Sequence, residues 1–203
     1  MSKSVSYLAL GDSYTIGEEV PLENSFPYQL ADILSKNGYI VNRPEIIATT
    51  GWTTNELQDA IAKSGLNQKF DLVTLLIGVN NQYRGESLKI YREEFKALLQ
   101  TAINFTNGNK ARVFVLSIPD WGVTPYAVNS GRDPELIAKE IDNFNAINYK
   151  ETISLGVNYT NVTTSSRKAG SETDLLTNDG LHYSAKMYAE WVELLKQEII
   201  KVI

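Results

Sequence analysis

The sequence predicts an α/β fold, a parallel sheet with helices on both of its faces. Two observations carry this. Short apolar runs with no helical stripe alternate along the chain with longer segments whose apolar residues recur at helical spacing. The strongest of the short runs, Asp71-Leu72-Val73-Thr74-Leu75-Leu76-Ile77, is apolar on both faces, as expected of a strand covered on both sides inside a parallel sheet. Right-handed crossovers between such strands bring all their carboxyl ends to one rim, where ligands bind in open α/β sheets.

Each element can be justified in turn. Val5 to Leu10 is the first strand, and it runs into Gly11-Asp12-Ser13-Tyr14-Thr15, with a glycine that lets the chain turn sharply. After the loop around Gly17 comes a helix with Ser25 at its cap position, striped by Phe26, Leu30, Ile33 and Leu34 and closed by Gly38. Glu45-Ile46-Ile47-Ala48 is a short second strand that exits through Thr49-Thr50-Gly51-Trp52. Thr53-x-x-Glu56 then has the form of a capping box, and Leu57, Ala60 and Ile61 follow as an inward face. The strand at 71–77 exits through Gly78-Val79-Asn80-Asn81, read as a loop. A long helix comes next, with Leu88, Tyr91, Phe95, Leu98, Leu99 and Ala102 facing inward and Asn107-Gly108 ending it. Arg112 to Ile118 is the fourth strand, with Pro119-Asp120-Trp121-Gly122 as its exit. Asp133-Pro134 opens a helix with a cap and a proline in its first turn, striped by Ile137, Ile141, Phe144 and Ile147 and stopped before Gly156. A weak strand at 157–162 and a terminal helix at 183–203, packed through Tyr188, Trp191 or Val192, Leu195 and Ile199, complete the chain.

Composition limits what such a fold can do. The 203 residues fit one domain, 1–203, with a substantial core. With 19 basic and 24 acidic residues the net charge is −5, and no basic cluster is available for nucleic acid or an anionic membrane. There are no cysteines, so thiol catalysis, disulfides and thiolate metal sites are excluded. No apolar run reaches the roughly 18–20 residues of a membrane span. The apolar stretch at 4–10 is too short for a secretory leader, so a cytoplasmic location is expected of the chain as given.

Chemistry is suggested by what falls on the predicted rim. Ser13 stands at the end of the first strand. His182, the only histidine of the chain, stands in Asp179-Gly180-Leu181-His182 between the last strand and the last helix. A serine hydroxyl is a weak nucleophile until a neighbouring base takes its proton. An aspartate three residues before a histidine can hold one imidazole nitrogen and leave the other for that serine. Acyl chemistry also needs donors for a developing oxyanion. The rim offers the backbone N–H groups of Ser13 and Gly51 and the side-chain amide of Asn80.

As a set, Gly11-Asp12-Ser13, Gly51, Gly78-x-Asn80 and Asp179-x-x-His182 resemble the four blocks of the SGNH, or GDSL-type, hydrolases, in order and over nearly the whole chain. The resemblance implies a flavodoxin-like three-layer α/β/α sandwich with a five-stranded sheet in the order 2-1-3-4-5. It implies Ser13 as nucleophile, His182 as base and Asp179 as its partner. Ser13, Gly51 and Asn80 would be the oxyanion donors, with no metal or cofactor. The third block of that family usually ends in an acid, whereas Asn81 stands here, which bears on how Asn80 is held. Gly11-Asp-Ser13-Tyr-Thr15 also lacks the last glycine of the G-x-S-x-G elbow, which disfavours an ordinary α/β-hydrolase.

The expected activity is therefore ester hydrolysis through an acyl-serine. Acyl transfer, carbohydrate O-acetyl ester hydrolysis and an inactive member are alternatives on the same site. A flavin- or phosphate-binding module of flavodoxin type is the alternative from another class, suggested by Ser13-Tyr14-Thr15-Ile16-Gly17 after the first strand. Asp12, Trp52, Trp121 and Tyr126, with Tyr83, are candidate substrate contacts. Glu18 and Glu19 near the nucleophile loop disfavour anionic substrates, and the expected partner is a small or lipid-like ester of short to medium acyl chain, with a lysophospholipid among the candidates.

Overall fold

The computed structural model describes residues 3–203. Five parallel strands form the central sheet: β1 (Tyr7–Gly11), β2 (Glu45–Ala48), β3 (Leu72–Leu76), β4 (Val113–Leu116) and β5 (Asn158–Thr160). They lie in the order β2-β1-β3-β4-β5, the expected 2-1-3-4-5. The chain starts at β1, steps outward to β2, and returns past β1 to β3. The order therefore reverses beside β1, and β1 ends at Gly11, two residues before Ser13. Crevices at such reversals are where open α/β sheets bind ligands.

The inner strands β1, β3 and β4 are wholly buried, which explains their unbroken apolar sequence. The edge strands β2 and β5 are partly exposed and carry Glu45 and Asn158. Tyr7 and Thr74 are the polar exceptions inside the sheet, and their hydroxyls satisfy each other at 2.9 Å. At the rim opposite the site, Asp71 ties three segments together. It accepts from the N–H and hydroxyl of Ser6 and from Arg112 at 2.7 Å.

Five longer helices cover the sheet: α1 (Phe26–Lys36), α2 (Thr54–Ser64), α3 (Leu88–Phe105), α4 (Pro134–Ser154) and α5 (Ala185–Ile199). Helices α1 and α5 pack together on one side, and α3 lies between α2 and α4 on the other. The terminal signals act largely as expected. Thr53 and Glu56 form a reciprocal capping box at the start of α2, and Asp133 caps α4 ahead of Pro134. Among the described residues no helix is long and apolar enough to cross a membrane.

Several local expectations differ from the structure. Ser25 occupies the cap position of α1, but its hydroxyl donates back to the Leu22 carbonyl at 2.7 Å instead of capping the helix. Leu88 is exposed at the first residue of α3, one turn ahead of the buried stripe that begins at Tyr91. The first strand is interrupted at Ser6, because Ser4–Val5 pairs separately with Ile40–Val41. Asn80 belongs to a one-turn helix, Val79–Tyr83, and not to a loop. That helix starts at Gly78, whose φ is 132° and where an added Cβ would lie 2.7 Å from Ile118 and 2.8 Å from the Tyr91 hydroxyl. Only glycine fits there.

Candidate active site

The rim carries a cavity of about 200 Å³. On its wall are Ser13, Gly51, Asn80 and His182, brought together from positions as far apart as 13 and 182. Trp121, Tyr126 and Tyr83 line it too, together with Tyr14, Thr50, Val79 and Leu181. Asp12 and Trp52 do not. Asp12 is completely buried beneath Ser13 and is closed off from any ligand. Trp52 contributes its backbone: its carbonyl accepts from the Asn80 side chain at 3.0 Å, while its ring packs against the core.

Ser13 is the first residue of a one-turn helix, Ser13–Ile16, reached directly from β1. The close approach of this turn to the sheet requires Gly11, where an added Cβ would lie 2.4 Å from the Leu76 carbonyl oxygen and 2.1 Å from Thr15 Oγ1. Asp12 caps the turn by accepting the Tyr14 N–H at 3.1 Å. A residue at the first helical position has no intrahelical acceptor for its N–H. Among the described residues the N–H groups of Ser13 and Gly51 have no protein acceptor.

His182 sits on the loop 177–182, closed at its base by an antiparallel pair between Leu176 and Tyr183. Its Nδ1 is 2.6 Å from Asp179 Oδ2. The other carboxylate oxygen, Oδ1, accepts the N–H groups of Leu181 (2.8 Å) and His182 (2.9 Å) and the Thr177 hydroxyl (2.7 Å). Burial pushes the Asp179 carboxyl up. The hydrogen bond from His182 and those from Leu181, Thr177 and the His182 N–H outweigh it and hold the group at about 2. A carboxylate so fixed sets the imidazole tautomer: Nδ1 carries the proton and Nε2 is left as the acceptor. Tyr14 packs edge-on against the ring, with centroids 5.9 Å apart. Among the described residues no hydrogen bond joins His182 to Ser13, a contact that in unliganded sites commonly tightens only once substrate is bound.

The opposite wall is braced from several directions. One N–H of the Asn80 amide is engaged by Trp52, which fixes the direction of the other. Arg84 donates to the Gly51 carbonyl at 2.6 Å and to Glu56 of the α2 capping box at 3.2 Å. Thr50 donates to Glu18 from the nucleophile loop. Asn81 is buried: it accepts the Thr54 N–H at 3.1 Å and donates to Thr54 Oγ1 and Glu86, each at 2.7 Å. It thus ties the Asn80 turn to the start of α2. The Trp121 loop is anchored through Asp120, which accepts from Gly122 and Arg167 and whose carbonyl accepts the Tyr183 hydroxyl.

Sequence reasoning did not find Tyr14, Thr177 or Arg84. Thr177 had a local signal, since a hydroxyl two residues before an Asp-Gly turn commonly bonds into it. Arg84 had none, because its target lies 33 residues away.

The five-stranded parallel sheet with helices on both faces defines a protein of the three-layer α/β/α class, and comparison with known proteins narrows it. The sequence matches the GDSL-like Lipase/Acylhydrolase family over residues 9–190, and the chain belongs to that family. No curated protein sequence matches it. Among solved structures, TesA superposes with a TM-score of 0.74 at 18% identity, covering 98% of this chain and 99% of that one. The lipase/acylhydrolase from Enterococcus faecalis gives 0.74 at 18% identity, covering 97% and 95%. Axe2, an acetylxylan esterase from Geobacillus stearothermophilus, gives 0.74 at 15% identity, covering 98% and 95%. At these identities the likeness is one of fold.

Proposed function

We propose that the protein is a serine carboxylic ester hydrolase that works through an acyl-Ser13 intermediate. One observation carries the reading: a single cavity is lined by Ser13, Gly51, Asn80 and the Asp179-held imidazole of His182; the Ser13 N–H, Gly51 N–H and Asn80 Nδ2 serve in this reading as its three donors.

His182 Nε2 takes the Ser13 hydroxyl proton as Oγ attacks the ester carbonyl carbon. The carbonyl oxygen becomes an oxyanion and is received by the three donors, which are in place before charge develops. The imidazolium formed is stabilised by Asp179, whose carboxylate stays charged. The tetrahedral adduct collapses: the bond to the alkoxy oxygen breaks and Nε2 returns its proton to the departing alcohol. Water then adds to the acyl-enzyme with Nε2 as base, and a second collapse frees the carboxylic acid and restores the Ser13 hydroxyl.

The test combines a probe with a variant. A fluorophosphonate is expected to label Ser13, and Ser13→Ala is expected to lose labelling and p-nitrophenyl acetate turnover while keeping its circular dichroism spectrum. Wild-type turnover in that variant overturns the reading.

A further inference from the structure

The cavity is small. At about 200 Å³ it falls below the roughly 300–1,000 Å³ of pockets that bury drug-sized ligands. Its lining is uneven. Thr50, Gly51 and Asn80 bring polar groups to it, whereas Tyr83, Trp121 and Tyr126 pack against one another, with ring centroids 5.4 and 6.1 Å apart, and make an apolar end. An acyl chain belongs at the apolar end by its chemistry, since each methylene there leaves water.

Two of these rings are joined to each other despite their exposure. Tyr83 is 45% and Tyr126 36% exposed, yet their hydroxyls lie 3.2 Å apart in a hydrogen bond. The two come from different elements. Tyr83 ends the helix that carries Asn80. Tyr126 sits on the short helix Pro125–Asn129, and its N–H donates to the Gly180 carbonyl, within the loop of His182, at 3.0 Å. The bond therefore bridges the two sides of the site.

The wall behind the bridge is tethered as well. The Arg132 guanidinium lies 5.1 Å from the Trp121 ring centroid and 5.4 Å from that of Tyr83, and it donates to the Tyr83 carbonyl at 3.2 Å. Arg132 is paired with Glu140, which also accepts from Gln82, and Gln82 in turn accepts the Trp121 indole N–H at 2.8 Å. Trp121, Gln82, Glu140, Arg132 and Tyr83 thus form a closed circuit. None of the aromatic rings can swing aside without breaking one of these contacts.

We propose that the hydrogen-bonded pair Tyr83–Tyr126, backed by Arg132, is an acyl-length stop that restricts this site to esters of short acids, about two to four carbons. The proposal rests on the reading of Ser13 as the acylated residue. It assigns the length limit to the acyl arm and not to the alcohol arm.

Two substrate series test it: p-nitrophenyl esters from acetate to decanoate, and alkyl acetates of increasing alcohol length. They are run on wild type, Tyr126→Phe, Tyr83→Phe and Tyr126→Ala. For wild type, kcat/KM is expected to fall at least tenfold between butanoate and octanoate. Tyr126→Ala is expected to raise the octanoate-to-butanoate ratio by about tenfold or more, since one methylene accommodated in an apolar pocket is worth about that much. Either phenylalanine variant, which removes the bridge and keeps the ring, is expected to move the ratio the same way by less. A wild-type preference for octanoate, an unmoved ratio in Tyr126→Ala, or a length limit found only in the alkyl acetates overturns the stop. Fluorophosphonate labelling keeps the two levels apart. If Ser13 labels and the ratio does not move, only the stop falls. If Ser13 does not label and no ester is cleaved, the reading of the site falls and takes the stop with it.

Discussion

Asp12 and Asp179 each stand next to a residue of the proposed chemistry, one before Ser13 and the other three before His182, yet their surroundings drive them in opposite directions. Asp12 is fully buried. Burial pushes its carboxyl up to about 7, against the pull of the Tyr14 N–H and its own N–H. Its Oδ2 has no partner, and the Thr15 hydroxyl, Tyr188 hydroxyl and Trp191 indole N–H are likewise buried without one among the described residues. Asp179 is also partly shielded, but four donors converge on it and hold it at about 2. Depth of burial and the number of donors, not proximity to the nucleophile, decide which carboxylate stays charged. Such a separation is how a site distributes acid and base work among like groups. Asp179 is suited to stabilise an imidazolium, and Asp12 to cap a turn.

The sharpest way to break this contrast is Asp179→Asn. The amide keeps the size and can still accept from Leu181, but it presents an N–H₂ to Nδ1. The imidazole must then accept at Nδ1 and carry its proton on Nε2, the wrong tautomer for a base. Turnover of p-nitrophenyl acetate is expected to fall by about 10⁴, the scale seen when a triad carboxylate is replaced this way. A loss under tenfold, with the fold intact by circular dichroism, would show that His182 does not depend on Asp179.

Asp12→Asn is expected to do the opposite: little to the chemistry and much to the pH dependence of stability. Asn keeps the Oδ1 acceptor for the Tyr14 N–H. A carboxyl at 3.8 in the open chain and about 7 in the fold binds its proton more tightly when folded. Its contribution to stability is intact below the lower value and is lost as pH rises through the upper one. By pH 8 the wild type has to hold a fully buried carboxylate whose Oδ2 has no partner, at a cost of up to about 4 kcal/mol. Relative to wild type, the melting temperature of Asp12→Asn is expected to rise from pH 4 to pH 8. Parallel curves across that range would mean that Asp12 is not held in this way.

The contrast also bears on what could be read from the sequence. The five strands and the longer helices were legible because period and punctuation are local signals, and the capping box at Thr53 is written in four residues; the strand order came only from the resemblance to the family. Ser13, Gly51, Asn80 and His182 were legible because the topology gathers strand ends on one rim. The helix Val79–Tyr83 was not, since one turn is too short to show a period. Asp12 and Trp52 were misread as substrate contacts because adjacency in sequence to a site residue does not say which way a side chain points. Asp12 folds under its own turn, and Trp52 offers a carbonyl. The Tyr83–Tyr126 bridge and the grip of Arg84 on Gly51 join residues 43 and 33 positions apart, and no local pattern encodes them.

Asn81 extends the same rule to a third position, with a smaller expected effect. The family's usual acid at this place would keep an acceptor for the Thr54 N–H. It would also turn an oxygen toward Glu86, where Asn81 now donates at 2.7 Å, and would lose the donor to Thr54 Oγ1. Thr54 Oγ1 itself donates onward to Glu94, so it cannot supply the missing hydrogen without giving up that bond. A buried acid at this place faces two acceptors and the single donor of Thr54, and not the four donors that converge on Asp179. Asn81→Asp is therefore expected to destabilise the fold by about 1–3 kcal/mol at pH 8, by urea unfolding, and by less at pH 5, where a proton on either acid restores a donor. Glu86→Gln added to Asn81→Asp supplies a donor from the other side and is expected to recover most of the loss. If the single variant is as stable as wild type at pH 8, or the double variant recovers nothing, then Glu86 does not determine why an amide stands at this position.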